Sequence, residues 1–146
     1  MPERIPIGAD HAGYDLKEVL VAELERRGFD VEDVGTHSTE STDYADYAHP
    51  VAREVETGEA KRGILMCGTG LGMSYAANRH HGVRAAVAWT PEIAALARQH
   101  NDANVLVLPA RFVDADTARA ILGAWLDTPF EGGRHERRIA KIEDAT

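Results

Sequence analysis

The 146-residue sequence predicts an α/β fold: a three-layer αβα sandwich around a five-stranded parallel, Rossmann-like sheet, with residues 1–146 forming a single domain. Short apolar runs bounded by turn residues alternate with amphipathic stretches, the pattern of strand–helix units rather than of hairpins. A hydrophobic content of 44% over this length is enough for one proper core.

Each element can be justified in turn. Arg4 to Ala9 reads as the first strand, and residues 12–27 as a helix with Leu16, Val19, Leu20 and Leu24 on one face and Gly28 as its stop. A second strand is expected over Phe29 to Val34, then a polar loop from Gly35 to about Asp46 and a helix carrying Val51 and Val55. Gly63 to Met66 is a third strand, followed by a glycine loop and a short helix to about Arg79. Val83 to Ala88 is a small-residue strand, and Pro91 suits the first turn of a helix that should end near His100. Val105 to Leu108 makes the fifth strand, and Ala115 to Leu126 a helix that turns Ala118, Ile121, Leu122 and Trp125 inward. After a loop from Pro129 to Gly133, the tail from Arg134 to Glu143 reads as a mostly charged helix whose large apolar residues are Ile139 and Ile142. A helix so thinly apolar needs something to dock on, and a partner subunit is the natural candidate.

Composition narrows the function classes. A net charge of −8 disfavours nucleic acid and anionic membranes, both of which need a broad basic surface. The apolar runs are too short to span a bilayer, no signal-peptide pattern is visible, and a single cysteine cannot form an internal disulfide. The expected location is therefore the cytoplasm. A small anionic ligand stays compatible with this charge if positive groups are gathered locally.

The stretch from Ile64 to Ser74 is chemically the richest. A strand delivers one thiol, Cys67, and then Gly68, Thr69, Gly70, Leu71 and Gly72 into a helix start. Alternating glycines let the backbone turn sharply and aim successive N–H groups at a ligand, and the positive end of the helix dipole adds to the same field. That field favours a thiolate at Cys67 and stabilises a developing oxyanion. The glycine spacing does not fit dinucleotide binding, because Trp89 and Thr90 stand where an acidic residue would be, and no Gly-Lys-Ser/Thr ending marks a P-loop. In an open parallel sheet, ligands sit outside the carboxyl ends of the strands where the strand order reverses, which gathers Asp10-His11, Cys67 to Gly72 and the loops after strands four and five.

Four motifs line up along the chain: Gly8-Ala9-Asp10-His11-Ala12-Gly13, Cys67 to Gly72, Arg98-Gln99-His100-Asn101-Asp102, and Glu131 to Arg138. With Thr42-Asp43-Tyr44 and Ala76-Ala77-Asn78, they resemble the ribose-5-phosphate isomerase B and galactose-6-phosphate isomerase family from about residue 5 to about residue 142. The resemblance implies a metal-free, cofactor-free aldose–ketose isomerase of a phosphorylated sugar, working through an enediolate. It also implies a homodimer whose active sites draw on both subunits, with pairing into tetramers left open. Carried onto this chain, Cys67 is the base, Thr69 assists proton transfer at oxygen, and Gly68 to Gly72, Leu71 included, cradle the enediolate. His100 opens the sugar ring with Asp10 as its partner, Asn101 contacts a hydroxyl, and His11, Arg111, Arg134 and Arg138 hold the phosphate. Some family members use a glutamate at the end of the glycine loop instead of the cysteine; here that position is Met73.

Each residue also has a plainer reading. Cys67 could be packing, Asp10 a helix cap, His100-Asn101 a C-terminal cap, Arg134 and Arg138 a solvated pair one turn apart, and Arg111 a salt bridge. His80-His81, His37, His49 and His135 read as surface positions, and no histidine pair has the spacing of a zinc site. Ribose 5-phosphate is the first choice of substrate, with tetrose and hexose phosphates as rivals because a bulky Trp89 follows strand four at the ligand edge. An idle sugar-phosphate binder on the same fold, or a nicotinamide or flavin redox protein, are the alternatives from other classes.

Overall fold

The computed structural model of the chain describes residues 1–144. Five strands, β1 (Arg4–Ala9), β2 (Asp30–Asp33), β3 (Gly63–Cys67), β4 (Ala85–Val87) and β5 (Val105–Pro109), form one parallel sheet in the order β2-β1-β3-β5-β4. The expected three-layer arrangement is present. Along β3, Ile64 and Met66 point to one face and Leu65 and Cys67 to the other, as the two-residue period of a strand requires. The first face is covered by α1 (Tyr14–Arg26), α4 (Pro91–Asn101) and α5 (Ala115–Asp127), with Leu20, Leu24, Ile121, Leu122 and Trp125 fully buried. The second is covered by α2 (Ala45–Thr57) and α3 (Leu71–Ala77), whose Ala48, Val51, Ala52, Met73 and Ala77 close over Leu65 and Val107. A last short helix, α6 (Arg134–Ala140), packs near α4.

Departures from the expected elements lie at their ends. The helix expected over 12–27 begins with a 3-10 turn, His11–Gly13, capped by Asp10, and only then becomes α1. The edge strands β2 and β4 are shorter than their apolar runs because each pairs with a single neighbour. At β4 the Asn78 side chain takes over part of the ladder, donating to the Ala85 carbonyl and accepting its N–H. α3 stops at Ala77 and α6 at Ala140, short of the Arg79 and Glu143 expected. Among the described residues, no helix is long and apolar enough to cross a membrane.

The sheet order places its reversal between β1 and β3, which leave in opposite directions across the sheet. Their carboxyl ends therefore open the crevice where a ligand fits. Asp10 follows one of these strands, and Cys67 ends the other.

Candidate active site

Asp10 lies almost entirely buried at the end of β1, where its Oδ1 accepts the N–H groups of Ala12 (3.0 Å) and Gly13 (3.3 Å). It is thus a cap, while Oδ2 accepts no hydrogen bond among the described residues and is left for another partner. The Asp10 N–H donates to the Met66 carbonyl, which ties this turn to the strand carrying the thiol. Gly13 is required for that approach: a Cβ there would stand 2.7 Å from the Met66 carbonyl oxygen.

His11 is clamped by Thr42, whose hydroxyl accepts the His11 N–H at 3.2 Å and whose own N–H donates to His11 Nδ1 at 3.1 Å. An Nδ1 that accepts a backbone proton leaves the ring hydrogen on Nε2, so His11 presents a donor outward. The loop that holds Thr42 also lays the Tyr44 ring against Gly72, so closely that a Cβ on Gly72 would lie 2.5 Å from it.

Cys67 is buried with its side chain toward the α2–α3 layer. Its carbonyl and that of Gly68 are held by the N–H groups of Ala110 and Arg111 from the end of β5, at 2.9 and 3.0 Å. The loop beyond them is fixed by the Thr69 hydroxyl accepting the Leu71 N–H and by Gly70 at φ +80°, a conformation that L side chains rarely adopt. The Arg111 guanidinium lies on Gly68, with an Nη 3.1 Å from where a Cβ would sit, and makes no ion pair among the described residues. Beside the loop, Thr69, Leu71, Val87, Trp89, Pro109 and Phe112 line an apolar groove of about 440 Å³. Trp89 is exposed on this edge as expected, and Trp125 is fully buried.

The remaining sequence-predicted residues are elsewhere. α4 starts just after the carboxyl end of β4 and runs antiparallel to the strands for 11 residues, so its far end is displaced by roughly 16 Å. His100 and Asn101 thus stand at the amino edge of the sheet, where Asn101 shares a cleft with Arg84, the residue before β4. Arg134 and Arg138, on α6, belong to the same end; both are exposed and unpaired among the described residues. One chain therefore holds two separate groups, Asp10, His11, Cys67 to Gly72 and Arg111 at one edge, and His100, Asn101, Arg134 and Arg138 at the other.

Three histidine readings need correction. His135 is buried, 5% exposed, with its ring stacked on His100 at 4.5 Å between centroids and 15° between planes. Burial first, and then the charge of Arg134, hold its pKa below the usual imidazole range. Its Nε2 lies 3.5 Å from Glu131 Oε1, outside hydrogen-bonding geometry. His80 and His49 are half-buried rather than on the surface. His49 Nδ1 lies 2.7 Å from His80 Nε2, and His80 Nδ1 lies 2.9 Å from Glu56, which links α2 to the turn after α3. The missed contacts arise from long-range packing, and no local signal in the sequence marks His135 as buried.

The profile of the family described as Ribose/Galactose Isomerase matches residues 5–142. Ribose-5-phosphate isomerase B of Escherichia coli is 49% identical over 140 residues, covering 96% of this chain and 94% of its own length. The solved structure of a ribose 5-phosphate isomerase from Thermotoga maritima superposes with a TM-score of 0.95 at 53% identity, covering 98% of this chain and 99% of the other. Ribose-5-phosphate isomerase B from Mycoplasma genitalium, solved with bound ribulose-5-phosphate, gives 0.94 at 44% identity, covering 100% and 99%. With likeness running through both edges of the sheet and almost every residue between, the chain belongs to the ribose/galactose isomerase family.

Proposed function

We propose that this sugar-phosphate isomerase interconverts D-ribose 5-phosphate and D-ribulose 5-phosphate in the cytoplasm, as a homodimer in which each active site takes residues from both subunits. The observation that carries the reading is the carboxyl-edge cluster. A buried thiol stands directly before an amide-lined loop, with the free Oδ2 of Asp10 and the outward Nε2 of His11 on one side and the unpaired Arg111 on the other.

Sugar phosphates are mostly closed rings, so the reaction begins with acid–base chemistry at oxygen. His100, reaching in from the second copy, gives a proton to the ring oxygen while Asp10 takes the one on the anomeric hydroxyl. The Cys67 thiolate then removes the C2 proton of the open aldose, and the electron pair moves onto the C1 oxygen as the cis-enediolate forms. Amides of Gly68 to Gly72 stabilise that charge, and donors of this kind are each typically worth about 100- to 1000-fold in rate. Thr69 relays a proton between the two oxygens. The Cys67 thiol then returns its proton to C1, giving the ketose. His11 and Arg111, with Arg134 and Arg138 of the second copy, hold the phosphate, and Asn101 binds a sugar hydroxyl.

NMR in D₂O with the purified protein tests this directly, offering ribose 5-phosphate beside tetrose and hexose phosphates. Product formation from the pentose with deuterium entering at C1 or C2 is the expected result. Turnover of a tetrose phosphate instead would point to a pocket shortened by Trp89, turnover of a hexose phosphate to one reshaped by it, and binding without exchange would make the chain an idle binder.

A further inference from the structure

We propose that His100, Glu131 and His135 form a binding site for a borderline divalent transition metal such as zinc, and that filling it inhibits the isomerase by withdrawing His100 from ring opening. The inhibitory half of this proposal rests on the role given to His100 above, whereas the metal site rests on geometry alone.

One ligand atom from each residue lies within 4.8 Å of the other two. His135 Nε2 and Glu131 Oε1 are 3.5 Å apart, about the edge of a tetrahedron whose bonds to a central zinc are about 2.1 Å. His100, at the last turn of α4, has to close in and turn out of its stack on the His135 ring to bring a nitrogen to the same ion. The independent observation is the state of His135 itself. Its side chain is 6% exposed, its Nε2 is sealed from solvent, and that nitrogen has no hydrogen-bond partner. A buried polar atom is ordinarily satisfied, and a cation standing between this nitrogen and the carboxylate oxygen would satisfy both.

Two imidazoles and one carboxylate select the ion class. Imidazole nitrogen suits zinc, cobalt, nickel and copper rather than magnesium or calcium, which need all-oxygen shells. Glu131 sits in the exposed loop before α6, where its N–H is anchored to the Gln99 carbonyl at 3.1 Å while its carboxylate is free to adjust. Three protein ligands leave a fourth position for water, the arrangement of an accessible site rather than of a closed structural one.

The test uses Co²⁺ as the spectroscopic probe and Zn²⁺ as the inhibitor, on the full chain and its Cys67→Ser, Glu131→Gln and His135→Gln variants. One Co²⁺ per chain with visible d–d absorption is expected, displaced by Zn²⁺ and kept in Cys67→Ser. It should be lost in His135→Gln, and in Glu131→Gln weakened by more than the 10- to 100-fold typical of losing a mere outer-shell partner. Zn²⁺ should inhibit the parent enzyme reversibly on chelation. Absence of the Co²⁺ spectrum, or its loss in Cys67→Ser with retention in Glu131→Gln, overturns the proposal, the latter placing the metal on the thiol. Because Glu131 is exposed, its variant decides the matter even if His135→Gln fails to fold. Co²⁺ binding without any isomerisation would leave the site standing and sink the proposed function; isomerisation without Co²⁺ binding would do the reverse.

Discussion

At Cys67, burial and reactivity meet in one side chain. It ends a fully buried strand, so its surroundings are as rigid as the core, yet the next residue begins the loop of amides. Replacement by alanine should lower turnover by roughly 100- to 10,000-fold, the usual span for loss of a general base, while inorganic phosphate still competes for the site. Steady-state kinetics with phosphate as inhibitor checks both halves. Two glycines can be separated by cause. Gly13→Ala drives a Cβ into the Met66 carbonyl and should cost about 1–3 kcal/mol of stability and much of kcat/KM, because the displaced turn carries Asp10. Gly28→Ala meets no neighbour but holds φ at +91°, and should cost about 1–2 kcal/mol with activity unchanged. Thermal melts beside kinetics distinguish them. Cys67, Asp10 and His11 were legible because strand ends can be read from apolar runs. His135 was not: the run around it is charged, and its burial comes from α4, some 35 positions earlier.

At the level of elements, the start of β1, the middle of β2 and the carboxyl-terminal turns of α2 meet in a charged cluster unrelated to the proposed chemistry. Arg4 lies 2.6 Å from Glu32 and 2.8 Å from Glu54. Burial, and then the hydrogen bond and charge of Glu32, push the Glu54 carboxyl up to about 7 from an ordinary 4.5, against the pull of Arg4. The folded state therefore holds a proton there that the unfolded chain has released between about pH 4.5 and 7, so stability falls as pH rises through that window. Glu54→Gln should flatten the decline, raising the melting temperature relative to the parent at pH 8 and little at pH 5. Differential scanning fluorimetry across that range reads it. Nothing in the sequence marked this pair, since Glu32 and Glu54 are separated by a whole loop and helix and meet only through the sheet order. The strands and helices themselves were legible for the opposite reason: their signals, the two- and 3.6-residue periods and the Gly and Pro stops, are local.

For the molecule as a whole, the direction of α4 governs the rest. A helix that leaves the carboxyl edge must return to the amino edge, which separates His100 from Cys67 within one chain. The proposed two-fold pairing resolves the separation if its axis lies across the strands, because the carboxyl edge of each copy then meets the amino edge of the other. Mixing Cys67→Ala with His100→Ala, each inactive alone, should then restore activity, approaching about a quarter of the parent value on random exchange, since half the dimers carry one intact site of two. Sedimentation beside the assay confirms that exchange took place; sustained inactivity after exchange would show that each site is built from one chain. The same return of α4 has a genetic corollary. A chain lacking only the thiol damages one site of the dimer it joins and leaves the other working, so it is recessive in a mixed population. A chain lacking both Cys67 and His100 disables both sites of every dimer it enters and behaves as a dominant poison.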